Sequence, residues 1–175
     1  MARPQGRGGS QRGRRDSGVD DGFDQRTLEL SRVTRVTKGG KRMRFRACVA
    51  VGDRKGTIGV GLAKGADVAQ AIAKATHQAK RGLVRVLIDR QTIPHRVEAK
   101  EGAAYVMLKP APQGTGIIAG GVVRVLLELS GIENIVSKIL GSPNKVNNVR
   151  AAVKALQQLR PRPQRKGEGS VISNQ

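Results

Sequence analysis

The residues in this chain best placed to do chemistry are cations. Arg32, Arg35, Lys38, Lys41, Arg42, Arg44 and Arg46 fall in one stretch that holds no acid. A solvated surface normally mixes both signs, because like charges on neighbouring strands repel. A block without relief is a liability to the fold unless phosphates neutralise it. Its centre, Lys38-Gly39-Gly40-Lys41, has the composition of a tight turn, and glycine there lets the backbone approach a partner closely. Lys55, in the Asp53–Gly56 turn, and Lys64, at the end of the next strand, complete the candidate set. The chemistry expected is salt-dependent contact with phosphates, with no group transferred.

The whole chain points the same way. Its 175 residues carry 33 Lys and Arg against 13 Asp and Glu, a net charge of +20. So large an excess of one sign suits a polyanionic partner, nucleic acid first and an anionic membrane surface second. No run approaches the roughly 18 apolar residues that a spanning helix needs, and no lipidation motif stands at either end. With no secretory signal either, a cytoplasmic location is expected. The aromatic residues are only Phe23, Phe45 and Tyr105. Readers of single-stranded RNA stack bases on such rings, so the backbone and shape of folded RNA are the expected target.

Catalysis finds no footing. His77 and His95 lie far apart, and no nucleophile, base and orienting group can be assembled around them. The single cysteine, Cys48, can build neither an internal disulfide nor a metal cage. No catalytic residue, metal or cofactor is therefore expected. Gly114-Thr115-Gly116-Ile117-Ile118-Ala119 matches a dinucleotide-binding fingerprint by letter. However, Pro110 and Pro112 separate it from the strand before, and the chain that follows is too short for a doubly wound sheet. The Lys-Ser/Thr pair of a P-loop is also missing. The run is expected to be a tight loop at a helix start, packed on protein or RNA.

These residues need elements to hold them. Leu28–Thr37 is β-rich, and Val33 and Val36, three apart, predict a bulge. Arg42–Val51 alternates, with Met43, Phe45, Ala47, Val49 and Val51 on the inward face and Arg42, Arg44 and Arg46 on the other. Thr57–Ala63 alternates again, with Ile58, Val60 and Leu62 inward and Gly59 and Gly61 opposite, open to close approach by a partner. Asp67–Arg81 has the period of a helix, buried along Val68, Ala71, Ile72, Ala75 and Ala79. Asp67 and Gln70 suggest a capping box, and Gly82 a stop. The helix's other face carries Lys74, His77, Gln78, Lys80 and Arg81. A short strand over Leu83–Ile88 follows, then a polar boundary at Gln91–Arg96.

The second part reads as a hairpin over Arg96–Lys109 turning at Glu101-Gly102, and a nearly all-apolar helix from Gly120 to Leu129. A strand over Asn134–Leu140 comes next. The last helix opens at Ser142-Pro143, buries Val146, Val149, Val153 and Leu156, and ends at Pro161. The fold class is thus α/β of the α+β kind, in two units over 26–92 and 93–160. They are flanked by a disordered basic Arg/Gly arm (1–25) and a flexible tail (161–175).

Three strings, VTKGGKRMRFRACVAVGDRKGTIGVGLAKGADV, PAPQGTGIIAGGVVRVLLELSGI and KILGSPNKVNNVRA, make the chain from about Leu28 to Leu159 resemble the bacterial family of the fifth small-subunit ribosomal protein. The resemblance implies a first domain like a double-stranded-RNA-binding domain, a three-stranded sheet plus helix. It implies a second domain of split β-α-β fold with a left-handed crossover. It also implies a structural constituent of the small subunit that binds its ribosomal RNA, steadies head against body and contributes to translational accuracy. The implied neighbours are the fourth and eighth small-subunit proteins, with the third nearby where mRNA enters. By position, Lys38, Gly39, Gly40 and Lys41 would reach RNA, and Gly114, Thr115, Gly116 and Arg124 would meet the fourth protein. Two other readings stay open: a freestanding double-stranded-RNA binder or RNA chaperone, and a nucleotide-using enzyme of the same fold.

Overall fold

The computed structural model describes residues 22–161; the expectations for the Arg/Gly arm before them and the tail after them lie outside the described residues. The elements run β1 (Asp24–Thr37), β2 (Gly40–Gly52), β3 (Thr57–Gly65), α1 (Val68–Arg81), β4 (Leu83–Arg85), β5 (Val97–Glu101), β6 (Ala104–Pro110), β7 (Ile117–Ile118), α2 (Gly121–Ser130), β8 (Ile135–Ile139) and α3 (Lys145–Gln157). They make an α+β fold with two sheets, ordered β1-β2-β3-β4 and β5-β6-β8-β7. The first sheet is antiparallel throughout. In the second, β7 and β8 are parallel neighbours joined through α2, and the other pairings are antiparallel.

Directly opposed residues of an antiparallel ladder share a face. That rule gives the first sheet two different sides. Ala47, Val49 and Val51 face α1 and form a small core with Ala71, Ala75 and Ala79. The helix sits unusually close to β3. A Cβ on Gly61 would lie 1.9 Å from the Ala75 carbonyl oxygen, and one on Gly59 would lie 2.3 Å from that of Ala79. The partner that Gly59 and Gly61 admit is the chain's own helix. α1 ends before Gly82 as expected, but its start differs. The Asp67 side chain makes no cap, and Gln70 Oε1 accepts from the Ala66 amide at 3.1 Å, one residue before the N-cap, so the expected box does not form.

The other side of the sheet is covered by α2 and α3. Ala50 and Ile58 of the first sheet, with Val86 just after it, share one core with Leu126, Leu127 and Leu156. The joint is tight. The Arg54 amide donates to the Leu129 carbonyl at 3.0 Å and the Gly56 amide to that of Ser130 at 2.9 Å. A Cβ on Gly52 would lie 2.2 Å from the Leu129 oxygen. Gly131, in the left-handed region at φ +83°, comes as close to Arg54: its Cβ would lie 2.1 Å from the Arg54 carbonyl oxygen. Because both faces are covered, β2 is buried at every residue from Ala47 to Gly52. Cys48 points to the second side, into a cleft of about 500 Å3 that Arg150 and Val146 also line. Burial pushes its thiol up to about 11, and Glu29, across the ladder, adds to the shift.

Two further expectations need correction. The bulge lies between Thr27 and Glu29, not at Val33–Val36, and the ladder runs unbroken from Glu29 to Thr37. The extra residue, Leu28, packs into the core between the sheets, whereas Val36 stays 71% exposed, so burial at Leu28 decides where the strand bends. Ser142-Pro143 precede the last helix and do not open it. Asn144 is its N-cap, accepting the Val146 amide at 3.1 Å, and the helix ends at Gln157, ahead of Pro161.

The β3–α1 contact leaves no room for a methyl group. Gly61→Ala should cost about 1–3 kcal/mol of stability through overpacking. Gly39→Ala, with nothing within 4 Å of the new carbon, should cost much less. Urea denaturation of the two variants beside the parent checks this, and equal midpoints would disprove the steric account.

Candidate nucleic-acid interface

Beyond Phe45, towards its tip, the β1–β2 hairpin stands free of both layers. α1 reaches only to the level of Gly65, which pairs with Phe45. Met43 has the parity of the α1 side but is 52% exposed, because no helix lies over it. The inward assignment of Met43 is therefore corrected: alternation set its face correctly, but the core does not extend that far.

Pairing sorts the basic block into groups. Arg42, Arg44 and Arg46 share one face of β2. Arg35 lies opposite Arg42, and Lys64 opposite Arg46, so both join that face. The structure thus gathers Arg35, Arg42, Arg44, Arg46 and Lys64 on the side away from α1. Arg32 and Lys41 oppose Phe45 and Val36 and so lie on the α1 side. Lys38, Gly39 and Gly40 form the tip, where Thr37 Oγ1 donates to the Gly40 carbonyl at 3.1 Å and Gly40 takes φ +136°. Lys55 is not brought to this group. It follows the far end of the 13-residue β2, roughly 40 Å from the tip, in the turn that holds the α2 joint.

Relief of charge on the arginine face is slight. Arg46, half-buried, approaches Glu29 at 3.8 Å and donates from Nε to Ser31 Oγ at 3.2 Å. Arg35, Arg42 and Arg44 are exposed and make no ion pair among the described residues. Opposed side chains sit about 5 Å apart at Cβ, so the Arg35–Arg42 pair is repulsive until an anion arrives. Apolar or aromatic platforms for bases are scarce here, and the face suits phosphates.

The glycine loop is built differently. Gly114 and Gly116 take φ of +89° and +72°, values that favour glycine. Both amides donate to Asn134 Oδ1, at 3.0 and 3.1 Å, and Asn134 is only 5% exposed. The Gly116 carbonyl accepts from the Ile135 amide at 3.1 Å, and Thr115 Oγ1 donates to the Pro112 carbonyl at 2.8 Å. The amides that a dinucleotide fingerprint would aim at a pyrophosphate are occupied by a carboxamide of the same chain. Two features were missed by sequence reasoning. Asn134 gave no local signal, since its partners lie 18 and 20 residues away. β7, only two residues long, is too short to show alternation. Arg124 is exposed near the start of α2, and Ile118, on the edge strand, is 52% exposed.

The histidines serve no common site. His95 Nε2 accepts from the Arg160 amide at 3.0 Å while Nδ1 lies 2.9 Å from the Arg96 carbonyl, so the ring bridges main-chain groups with its proton on Nδ1. His77 is exposed on α1.

Two family models match the chain: "Ribosomal protein S5, N-terminal domain" over residues 23–87 and "Ribosomal protein S5, C-terminal domain" over 99–167. The chain is 51% identical over 143 residues to small ribosomal subunit protein uS5c of Spinacia oleracea, covering 81% of this chain and 46% of that protein. It is 47% identical over 154 residues to uS5 of Gloeobacter violaceus, covering 87% and 69%. It is also 47% identical over 142 residues to uS5c of Porphyra purpurea, covering 81% and 82%. The chain therefore spans about half the length of the spinach relative and most of the other two.

If Arg44 meets a phosphate, Arg44→Ala lowers the slope of log affinity against log salt for structured RNA by about 0.7–0.9. Arg42→Ala should do the same, and an unchanged slope rules out the contact. Asn134→Ala leaves two loop amides without their acceptor. It should cost about 1–3 kcal/mol. Hydrogen exchange at Gly114 and Gly116 should accelerate, and unaltered protection there would show that the loop holds itself.

Proposed function

The chain belongs to the ribosomal protein S5 family, and on that premise we propose that it is a structural constituent of the small ribosomal subunit, not an enzyme, that grips small-subunit ribosomal RNA with its β1–β2 hairpin. The observation that carries this is the uncovered arginine face, Arg35, Arg42, Arg44, Arg46 and Lys64, which lies wholly within the residues matching the family's N-terminal domain. Lys38, Gly39, Gly40, Arg32 and Lys41 extend the grip around the tip, since none is covered by protein. Lys55 stands apart from this grip, in the turn at the opposite end of β2.

The finer role is to steady the head of the subunit against its body and to contribute to decoding accuracy. Gly114, Thr115, Gly116 and Arg124 meet the neighbouring fourth small-subunit protein, the eighth is a further contact, and the third lies nearby where mRNA enters. This is supported by the build of the loop. It is self-satisfied in its hydrogen bonds and flanked by exposed Ile118 and Arg124, which suits docking to protein better than capture of a phosphate. The protein acts where ribosomes act. A freestanding RNA chaperone would release small subunits at high salt, whereas a constituent should co-sediment with them.

Gly116→Val places a β-branched residue at φ +72°, a strain of about 1–3 kcal/mol. The variant should bind ribosomal RNA normally but alter misreading in cells that depend on it and weaken contact with the fourth protein. Normal misreading would remove this loop from the accuracy role while leaving the hairpin's role intact.

A further inference from the structure

We propose that the outer face of α1, with Arg85 of β4, is a second RNA-backbone surface pointing away from the arginine face of the hairpin, so that the protein lies between two RNA segments. This rests on the RNA-binding reading above and goes beyond it in direction and in residues.

The helix separates its side chains cleanly. Ala71, Ala75 and Ala79 are buried against the sheet, and Lys74, His77 and Arg81, at helical spacing on the opposite side, are exposed. Its neutral polar residues are used to tie its flanks down. Gln70 accepts from the Ala66 amide, Gln78 from the Leu62 amide at 3.3 Å, and Thr76 Oγ1 donates to Gln25 Oε1 at 3.0 Å. The cations are what remains. Lys74, Arg81 and Arg85 make no ion pair among the described residues. The chain from Val68 to Ile88 contains no Asp or Glu, so Lys74, Arg81 and Arg85 have no acid within their own segment.

Pairing places Arg85 on the same side. It opposes Thr57, as Leu83 opposes Gly59, and Gly59 faces the Ala79 carbonyl of α1. The arginine face of the hairpin has the opposite parity. The two surfaces therefore look in opposite directions, and one straight duplex cannot touch both. Lys74 and Arg81 stand two turns apart, about 10 Å along the axis, so they engage separate phosphates.

The chemistry favours RNA over the alternatives. A protein partner is anchored by apolar and aromatic side chains, and the stripe itself carries none. The chain's own ends are of the wrong sign: five arginines against three aspartates before Gly22, and Arg162, Arg165 and Lys166 against Glu168 after Pro161.

The experiment uses the full chain and a short RNA duplex of about 16 base pairs, long enough for one face and too short to reach round to the other. Native mass spectrometry should find two duplexes per protein at low salt. The double variant Lys74→Ala/Arg81→Ala should bind one, and its total salt slope should fall by about 1.4–1.8. Arg42→Ala/Arg44→Ala should also bind one, through the face that remains. Both variants should melt with the parent, being surface substitutions. One duplex on the parent, with no change of slope in the α1 variant, overturns the second surface and leaves the hairpin reading standing. If neither double variant changes RNA binding, the RNA reading itself fails. If the α1 variant keeps RNA but loses capture of RNA-free small-subunit proteins, the stripe is a protein contact and the proposal is overturned.

Discussion

Along β2, from Ala47 to Gly52, the chain has protein on both sides. This single condition organises the rest. α1 can cover one face only because Gly59 and Gly61 on the neighbouring strand let its backbone descend onto the sheet. α2 and α3 cover the other, where Gly52 and Gly131 let a helix end and a turn pass at van der Waals contact. The small apolar residues are spent on this half of the strand. Beyond Phe45 the strand has nothing left to pack against, and the even positions towards the tip are free to carry arginine. Burial at one end of β2 and charge at the other are two outcomes of one supply of apolar side chains.

Much of this was legible in the linear order of residues. Strict alternation over Arg42–Val51 gave both the strand and the separation of arginines from valines, because a period of two maps directly onto two faces. The alanine stripe at Ala71, Ala75 and Ala79 likewise announced α1, and the acid-free block announced the anion-binding hairpin. What was not legible depended on distant partners. Nothing around Cys48, Ala50 or Gly52 reveals that a second layer covers them, since that layer comes from some seventy residues onward. Asn134 is an ordinary polar residue until the fold brings two glycine amides to its oxygen. Lys55 looked like part of the basic block because sequence distance is short across a turn, but a strand as long as β2 carries its two ends far apart. Asp67 likewise has the letter of a cap, yet its exposed side chain makes no cap bond.

The electrostatics of the isolated chain and of its bound form differ in kind. Alone, Arg35 and Arg42 face each other across the ladder with no acid between them, and only Arg46 has a carboxylate nearby, Glu29 at 3.8 Å. An ion pair that long and that exposed to water contributes little. The fold tolerates the repulsion because the hairpin is anchored from its base, not from its tip. Bound to a polyanion, the same arrangement becomes an asset: the donors are already aligned on a ladder, and little side-chain ordering beyond the arginine stems is needed.

The interlocked glycines at the α2 joint have a mechanical meaning. α2 runs from the Gly114–Gly116 loop at one end to the β2–β3 turn at the other, and β2 continues from that turn to the hairpin tip. The joint is thus the fulcrum of a lever whose long arm is the 13-residue β2, about 43 Å at strand spacing. One degree of rotation at the fulcrum displaces the tip by about 0.7 Å, a quarter of a hydrogen-bond length. A fulcrum cushioned by long side chains could absorb such a rotation. One made of backbone against backbone, with no room for a single carbon, passes it on undiminished.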